Sequence, residues 1–405
     1  MKNSDILFEY NISLKILYIL VTLYIASIVI FAREDNVVIS NMIFLTMAGY
    51  LILHDFVYNQ NKYYFNKELN LYFLFFIFAT LSIFWSIEPD FTTEIARRMF
   101  MIFLSLVIIY NILMKYNFYS ALFFGLFLGT FINLLMFFEI IHVSYDVYFP
   151  STDRFMGTTE NPNTTANVMF LSIFAGVIYT YYAVNRYMIL AGYLNIAMAY
   201  YIILMTVSRT ALVVSLGLIS LLILNTLMNK ERRKYFIWTT MLSLIGAVFL
   251  IDLTAVMKKV NFAIERIGLI FSSITGAKVE ESADERFEFI MIALNTFRDN
   301  PFFGTGMDTA RQYLGVYAHN NYAELLADSG IIGTTLFYLI YISLGYKAYF
   351  VKDKWIRAYL IMFVLSLSAY DMGGVSYYDK LTLLLIIFAT YIAEMDIREK
   401  SIKSN

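Results

Sequence analysis

The stretch ISLKILYILVTLYIASIVIF, residues 12–31, decides the class of the molecule. Its one charge is Lys15, and a helix of this length covers the roughly 30 Å hydrocarbon core of a bilayer. The run ends in Ala32-Arg33-Glu34 with no A-x-A cleavage pattern, which reads as a retained first helix rather than a signal peptide. Working outward, similar apolar segments recur near 37–57, 69–85, 97–114, 118–141, 166–184, 188–207, 211–227, 236–253, 331–349, 355–371 and 381–395. Together they predict an all-α polytopic membrane protein of about 12 transmembrane helices. Composition agrees: of 405 residues 60% are hydrophobic and 15% charged, far from the balance of a soluble domain. Cysteine is absent, which removes disulfides, thiolate metal sites and cysteine nucleophiles. A net charge of -1 gives no reason to expect nucleic acid.

Lysine and arginine orient this layout, because short cytoplasmic loops are enriched in both. With the amino terminus inside, Lys62, Lys67, Lys115, Arg186, the run Lys230-Glu231-Arg232-Arg233-Lys234, Lys352, Lys354, Arg398, Lys400 and Lys403 all fall on the inner side. Both termini are then cytoplasmic. The expected organisation is nine transmembrane helices in residues 1–252, an extracytoplasmic helical loop in 253–330, and helices ten to twelve with a cytoplasmic tail in 331–405. Within the loop, Ser282-Ala283-Asp284-Glu285 has the form of a capping box. It is followed by Phe287, Ile290, Met291, Leu294 and Phe297 at helical spacing, and Asn300-Pro301 stops the helix. Upstream, residues 256–271 mix Lys258, Lys259 and Arg266 with apolar residues, as a helix lying at the interface would.

Positive-inside topology explains inner lysine but not outer arginine. Arg97, Arg98, Arg154, Arg209, Arg286, Arg298 and Arg311 all fall on the outer side, where a planar guanidinium offers paired donors to phosphate or carboxylate. Pairing with neighbouring carboxylates or lipid headgroups accounts for any single one; the set points to a bound anion. Three stretches sharpen this: Arg154-Phe155-Met156-Gly157 running into Asn161-Pro162-Asn163; Ser208-Arg209-Thr210 between two apolar segments; and Arg286 to Gly333, which contains Asp299-Asn300-Pro301-Phe302-Phe303-Gly304-Thr305-Gly306 and His319-Asn320-Asn321 leading to Gly330 and Gly333.

In order and in placement these stretches resemble the O-antigen ligase and polymerase family, with its R-x-x-G loop, S-R-T at a helix end, D-N-P-x-x-G-x-G turn and H-N stretch before a helix. One departure is Ile290, which stands four residues after Arg286 where many relatives carry tryptophan. The resemblance implies a glycosyltransferase that takes an undecaprenyl-diphosphate-linked glycan as donor, works within the lipid bilayer of the bacterial plasma membrane, and needs neither metal nor other cofactor. It also implies a chain-length regulator as a partner. Arg154, Arg209 and Arg286 are each carried over from their own motif as diphosphate ligands, and such chemistry suits them, since the leaving diphosphate departs with negative charge. His319 is the candidate base for the acceptor hydroxyl: of three histidines, His54 is near a cytoplasmic helix end and His142 matches no motif. A helix start at Asn321-x-x-Glu324 would favour the neutral imidazole a base requires. Asn161, Asn163, Asn320 and Asn321 are candidates for sugar hydroxyls, with turn and cap formation an equal reason for their presence.

Two rival readings remain at this point. A lipid-glycan transporter shares the helix number, but carriers place ionisable groups near the midplane, whereas Glu139 and Asp252 fall near predicted outer helix ends. Within the family, a polymerase transfers the growing chain to another lipid-linked repeat unit, and a ligase transfers it to lipid A core or another acceptor. Richness in Tyr, Phe, Ile and Asn resembles polymerases, and polymerase is the preferred reading.

Overall fold

The computed structural model describes residues 12–32, 37–60, 62–141, 154–230, 232–238, 241, 281–315 and 317–402. Its elements are α1 (Ile12–Ile30), α2 (Val37–Val57), α3 (Lys67–Leu81), α4 (Pro89–Tyr116), α5 (Tyr119–Phe137), α6 (Pro162–Tyr182), α7 (Arg186–Thr206), α8 (Arg209–Met228), α9 (Glu281–Asp299), α10 (Ala310–Leu314), α11 (Asn321–Phe350), α12 (Lys354–Tyr370) and α13 (Lys380–Ile402). Among the described residues no strand occurs, and nine helices are long and apolar enough to cross a membrane. The expected segments 355–371 and 381–395 are present as α12, of 17 residues, and as part of α13, which carries charges at its end. The expected segment 236–253 lies mostly outside the described residues, as do the interfacial segment 256–271, His142 and Asp252.

Two helices start earlier than their hydropathy. The chain enters α4 at Pro89, whose fixed φ and missing N–H suit a first helical position, so Arg97 and Arg98 lie two turns inside a helix rather than at its end. α11 begins at Asn321, and its first turns carry Glu324 and Asp328, which a hydropathy window rejects.

The helices form two compact units, each assembled from separate parts of the chain: residues Met1–Lys62 with Asn117–Ile267, and Tyr63–Tyr116 with Gly268–Asn405. In the first unit α1 lies against α5, and small residues permit the approach. A Cβ added at Gly125 would sit 2.7 Å from the Thr22 carbonyl oxygen, and one at Gly129 would sit 2.6 Å from Val29. α6, the most buried helix, holds its polar groups by bonds across helices: Ser172 shares a hydrogen bond of 2.8 Å with Thr130, and Asn195 Nδ2 donates to the Ser172 carbonyl at 3.0 Å. Buried hydroxyls and amides without such partners would cost several kcal/mol each in hydrocarbon.

In the second unit α3, α4, α11 and α13 meet around charge. Lys347 Nζ donates to Glu68 Oε2 at 2.5 Å and to Glu394 Oε1 at 2.6 Å; Ser343 Oγ donates to the second Glu68 oxygen and Tyr110 Oη to the second Glu394 oxygen. One ammonium between two carboxylates, with hydroxyls on the outer oxygens, satisfies every group in the cluster. The expected helix after the capping box is α9, which ends at Asp299 as the Asn300-Pro301 signal required; the side chains of 281–285 lie outside the described residues. Its contact with α11 is made by Ala293 and Ile290 against Ala323 and Ala327. Ile290 thus packs against α11, while Phe287, Met291 and Leu294 stay exposed.

Candidate functional site

In the first unit the Ser208-Arg209-Thr210 triplet is a helix junction. α7 ends at Thr206, Val207 takes a left-handed φ of 55°, and α8 starts at Arg209, which is half-buried. A β-branched residue in that conformation costs on the order of 1–2 kcal/mol, so the corner must be held by its surroundings. The Arg154 loop does this. Arg154 Nε donates to the Thr206 carbonyl at 2.8 Å, Phe155 N donates to the Met205 carbonyl at 3.0 Å, and Arg154 Nη2 donates to Asn163 Oδ1 at 2.8 Å. Asn161 caps α6, its Oδ1 accepting from Asn163 N at 2.9 Å and Thr164 N at 3.3 Å. The same loop is fastened from below by Thr158, whose hydroxyl donates to the Val29 carbonyl at 2.7 Å. Arg154, Asn161, Asn163 and the backbone three residues before Arg209 therefore belong to one hydrogen-bonded corner. The starts of α6 and α8 add the partial positive charge of helix N-termini.

In the second unit the two halves of the 299–333 stretch interlock. α11 is broken at Gly330, with φ 59° and ψ -166°, and the freed backbone groups are taken up by the Asp299–Gly306 turn. Thr305 N donates to the Ala327 carbonyl at 3.0 Å, Gly306 N to the Asp328 carbonyl at 2.9 Å, and Ile331 N to the Pro301 carbonyl at 2.9 Å. Such a break is tolerated at membrane depth only when its amides and carbonyls find partners. The backbones lie so close that a Cβ at Gly304 would stand 2.3 Å from Asp328 C, and one at Gly330 2.4 Å from Phe302 C. D-N-P-x-x-G-x-G is therefore a docking motif for a broken helix. Asp328, fully buried, completes the turn: its carboxylate accepts from Asp308 N at 2.9 Å and Ala310 N at 2.8 Å.

The turn leads through α10 to His319, which precedes the start of α11. His319 also has a left-handed φ, 53°. Asn320 caps α11, accepting from Ala323 N at 3.0 Å, and Asn321 N donates to the Asp371 carbonyl at 2.8 Å. The Asn321 side chain is fully buried, with Nδ2 donating to Tyr338 Oη at 2.9 Å and Oδ1 accepting from Ser376 N at 3.0 Å, so its described work is to fasten the loop after α12 to the start of α11. The imidazole is half-buried against two rings: Tyr317 at 4.1 Å between centroids, and Phe289 of α9 at 6.3 Å and nearly parallel. Burial, and next to it the charge of Arg286, push the imidazole down to about 4 from its usual 6.5. His319 is thus held in its neutral form near neutral pH, with a guanidinium in its neighbourhood.

The candidate residues fall into two groups: Arg154, Asn161, Asn163 and Arg209 in the first unit, and Arg286, His319, Asn320 and Asn321 in the second. Sequence reasoning gave no role in the site to three buried carboxylates: Glu324, which accepts from the Ala318 amide, Asp328, which accepts from the Asp308 and Ala310 amides, and Asp371, which accepts from Asn321 Nδ2. The available signal was their presence at the starts and ends of apolar helices, where an acid without a visible partner is expensive.

A comparison with curated proteins returns no match. Residues 194–338 match the family model described as O-antigen ligase, a span that takes in Arg209, Arg286, His319 and the interlocked turn, while the Arg154 loop precedes it. With the helical membrane fold, that match supports the likeness read from the motifs: residues 194–338 are similar to the O-antigen ligase family, and they lie in a chain with the apolar helices of a multi-pass membrane protein.

Proposed function

We propose that the protein polymerises undecaprenyl-diphosphate-linked oligosaccharide repeat units into O-antigen or into capsular or exopolysaccharide. The reaction would run at the outer face of the bacterial plasma membrane, with both termini cytoplasmic. The observation that carries the proposal is the neutral His319 in the neighbourhood of Arg286. In the transfer, the acceptor hydroxyl oxygen bonds to the anomeric carbon of the donor sugar while its proton passes to the free imidazole nitrogen. The bond from that carbon to the diphosphate oxygen breaks, and the electron pair leaves with the lipid diphosphate. Arg286 meets the developing charge. Uptake of that anion offsets the Arg286 charge that weakens His319, so the base becomes stronger when donor is bound. Asn161, Asn163 and Asn320 are assigned to sugar hydroxyls with their remaining polar atoms. A chain-length regulator is the expected protein partner.

Transfer to lipid A core is the second reading, favoured by the description of the matching family model as a ligase. Purified protein in detergent with lipid-diphosphate repeat units alone tests both. A ladder of chain lengths with release of free lipid diphosphate is the expected result. Product formed only after a lipid A core acceptor is added would favour the ligase. Movement of intact lipid-linked glycan across a vesicle membrane without glycosidic bond formation would overturn both readings in favour of a transporter.

A further inference from the structure

His319 stands in a backbone conformation that L-residues with a side chain rarely adopt, so the direction of its imidazole depends on what grips the chain beside it. On its C-terminal side the grip is the helix start itself, through the Asn320 cap and the Asn321 amide. On its N-terminal side the grip comes from Glu324. The Glu324 carboxylate reaches back from the first turn of α11, and Oε2 accepts from the Ala318 amide at 2.8 Å. Ala318 is the residue immediately before His319, and it is fully buried.

This carboxylate does more than cap a helix. The helix already has its cap in Asn320, and Glu324 binds an amide outside it. Glu324 is 1% exposed, and its second oxygen, Oε1, is buried without a hydrogen-bond partner among the described residues. The Tyr377 hydroxyl, in the neighbourhood of Glu324, is buried and equally without one. In so dry a place the Ala318 amide is the backbone group that the carboxylate holds, and removing the carboxylate would leave that amide buried without its acceptor. Asp328, one helical turn along and on the same face, performs the parallel task for the Asp308–Ala310 turn. The first turns of α11 thus hold the chain at two points, one at each end of the segment that delivers the histidine.

We propose that Glu324 is a positioning residue for His319: by holding the Ala318 amide it fixes the left-handed backbone that aims the imidazole. The inference rests on the reading of His319 as the base. Glu324→Leu removes the acceptor at similar volume, Glu324→Asp keeps the charge but withdraws it by one methylene, and Glu324→Gln keeps an acceptor oxygen in reach. In the lipid-diphosphate transfer assay with full-length protein, Leu and Asp variants should lose about 10- to 100-fold in kcat with KM changed by less than about twofold. The Gln variant should recover most of the loss. A second measurement needs no substrate: in protein with 15N-labelled histidine, the His319 titration point should rise toward 6.5 in the Leu and Asp variants and stay near wild type in the Gln variant. If the Leu variant does not fold, the Asp and Gln pair carries the same contrast. An Asp variant with wild-type kcat and an unmoved His319 titration would overturn the proposal. Because the titration is independent of activity, a wild-type protein that makes no polymer would defeat the functional reading and leave this inference to stand or fall on the NMR result alone.

Discussion

The second unit holds two groups of buried ionisable residues, and they are built on opposite terms. Around Lys347 every charge has its counter-charge: the ammonium lies between Glu68 and Glu394, Arg398 approaches the second Glu394 oxygen at 3.6 Å, and Ser343 and Tyr110 donate to the remaining oxygens. Around His319 the terms are unfavourable to ionisation, since burial and the Arg286 cation both press on the imidazole. A paired cluster stabilises a fold and has nothing left with which to bind. Beside His319 no counter-charge to Arg286 is found among the described residues, and under the proposed function the donor diphosphate would supply it. The Arg154 corner of the first unit is intermediate, because its guanidinium already braces Thr206 and Asn163.

The sharpest way to break the comparison is to exchange the effects of the two groups. Lys347→Met leaves two carboxylates facing each other, and loss of one partner from a buried ion pair costs about 3–5 kcal/mol. Thermal melting in detergent should show a large loss of stability, while kcat per folded molecule stays near wild type. A fall in kcat without loss of stability would mean that the Lys347 cluster belongs to the chemistry. Arg286→Gln should do the reverse, with wild-type melting and transfer reduced about 10²- to 10³-fold, as for removal of a charge-stabilising donor. Arg286→Lys keeps the charge without the two-pronged geometry and should fall between.

The helical layout behind this contrast was legible in the sequence, and the Lys347 cluster was not. Eleven of the expected apolar segments coincide with helices, since a bilayer imposes length and composition on every span. What the hydropathy window missed was polar: the first turns of α4 from Pro89, and the turns of α11 from Asn321 to Gly330. The motif residues were found, but their division of labour was not. Gly304 read as part of a turn and Gly330 as part of the stretch before a helix, yet Gly304 meets the backbone of Asp328 and Gly330 that of Phe302, and a close approach between positions so far apart leaves no local trace. Asn161 and Asn320 proved to be caps, one of the two reasons offered for them. Nothing local marks Glu324 as the acceptor for an amide six residues earlier.

Smaller effects sharpen the picture at His319. Because its titration is lowered by burial and by Arg286, Arg286→Gln should raise the His319 titration point from about 4 part of the way toward 6.5, read by 15N NMR. No change would mean that burial alone sets it. The sign for pH dependence follows. A base lowered to about 4 is free above that value, so kcat/KM, which reports the free protein, should be flat near neutrality and fall as pH drops toward 4, whereas kcat, which reports the donor-bound state in which the Arg286 charge is offset, should begin to fall at a higher pH. Stability moves the same way: the unfolded chain protonates its histidine below about 6.5 and the folded one does not, so acid between these values favours unfolding. The smallest effect is expected at Arg154→Lys, which removes one of the two braces at the Val207 corner and should lower stability by about 1 kcal/mol with a modest loss of transfer.

The central claim is that His319 is the base, and the most direct test is the transfer rate of His319→Gln measured with purified protein and lipid-diphosphate repeat units. Glutamine restores a hydrogen bond without a titratable nitrogen. A general base contributes about 10² to 10⁴ in rate, so the account predicts near-abolition of glycosidic bond formation in a protein that melts like wild type. Transfer at close to the wild-type rate would contradict it and reduce His319 to a brace of its loop.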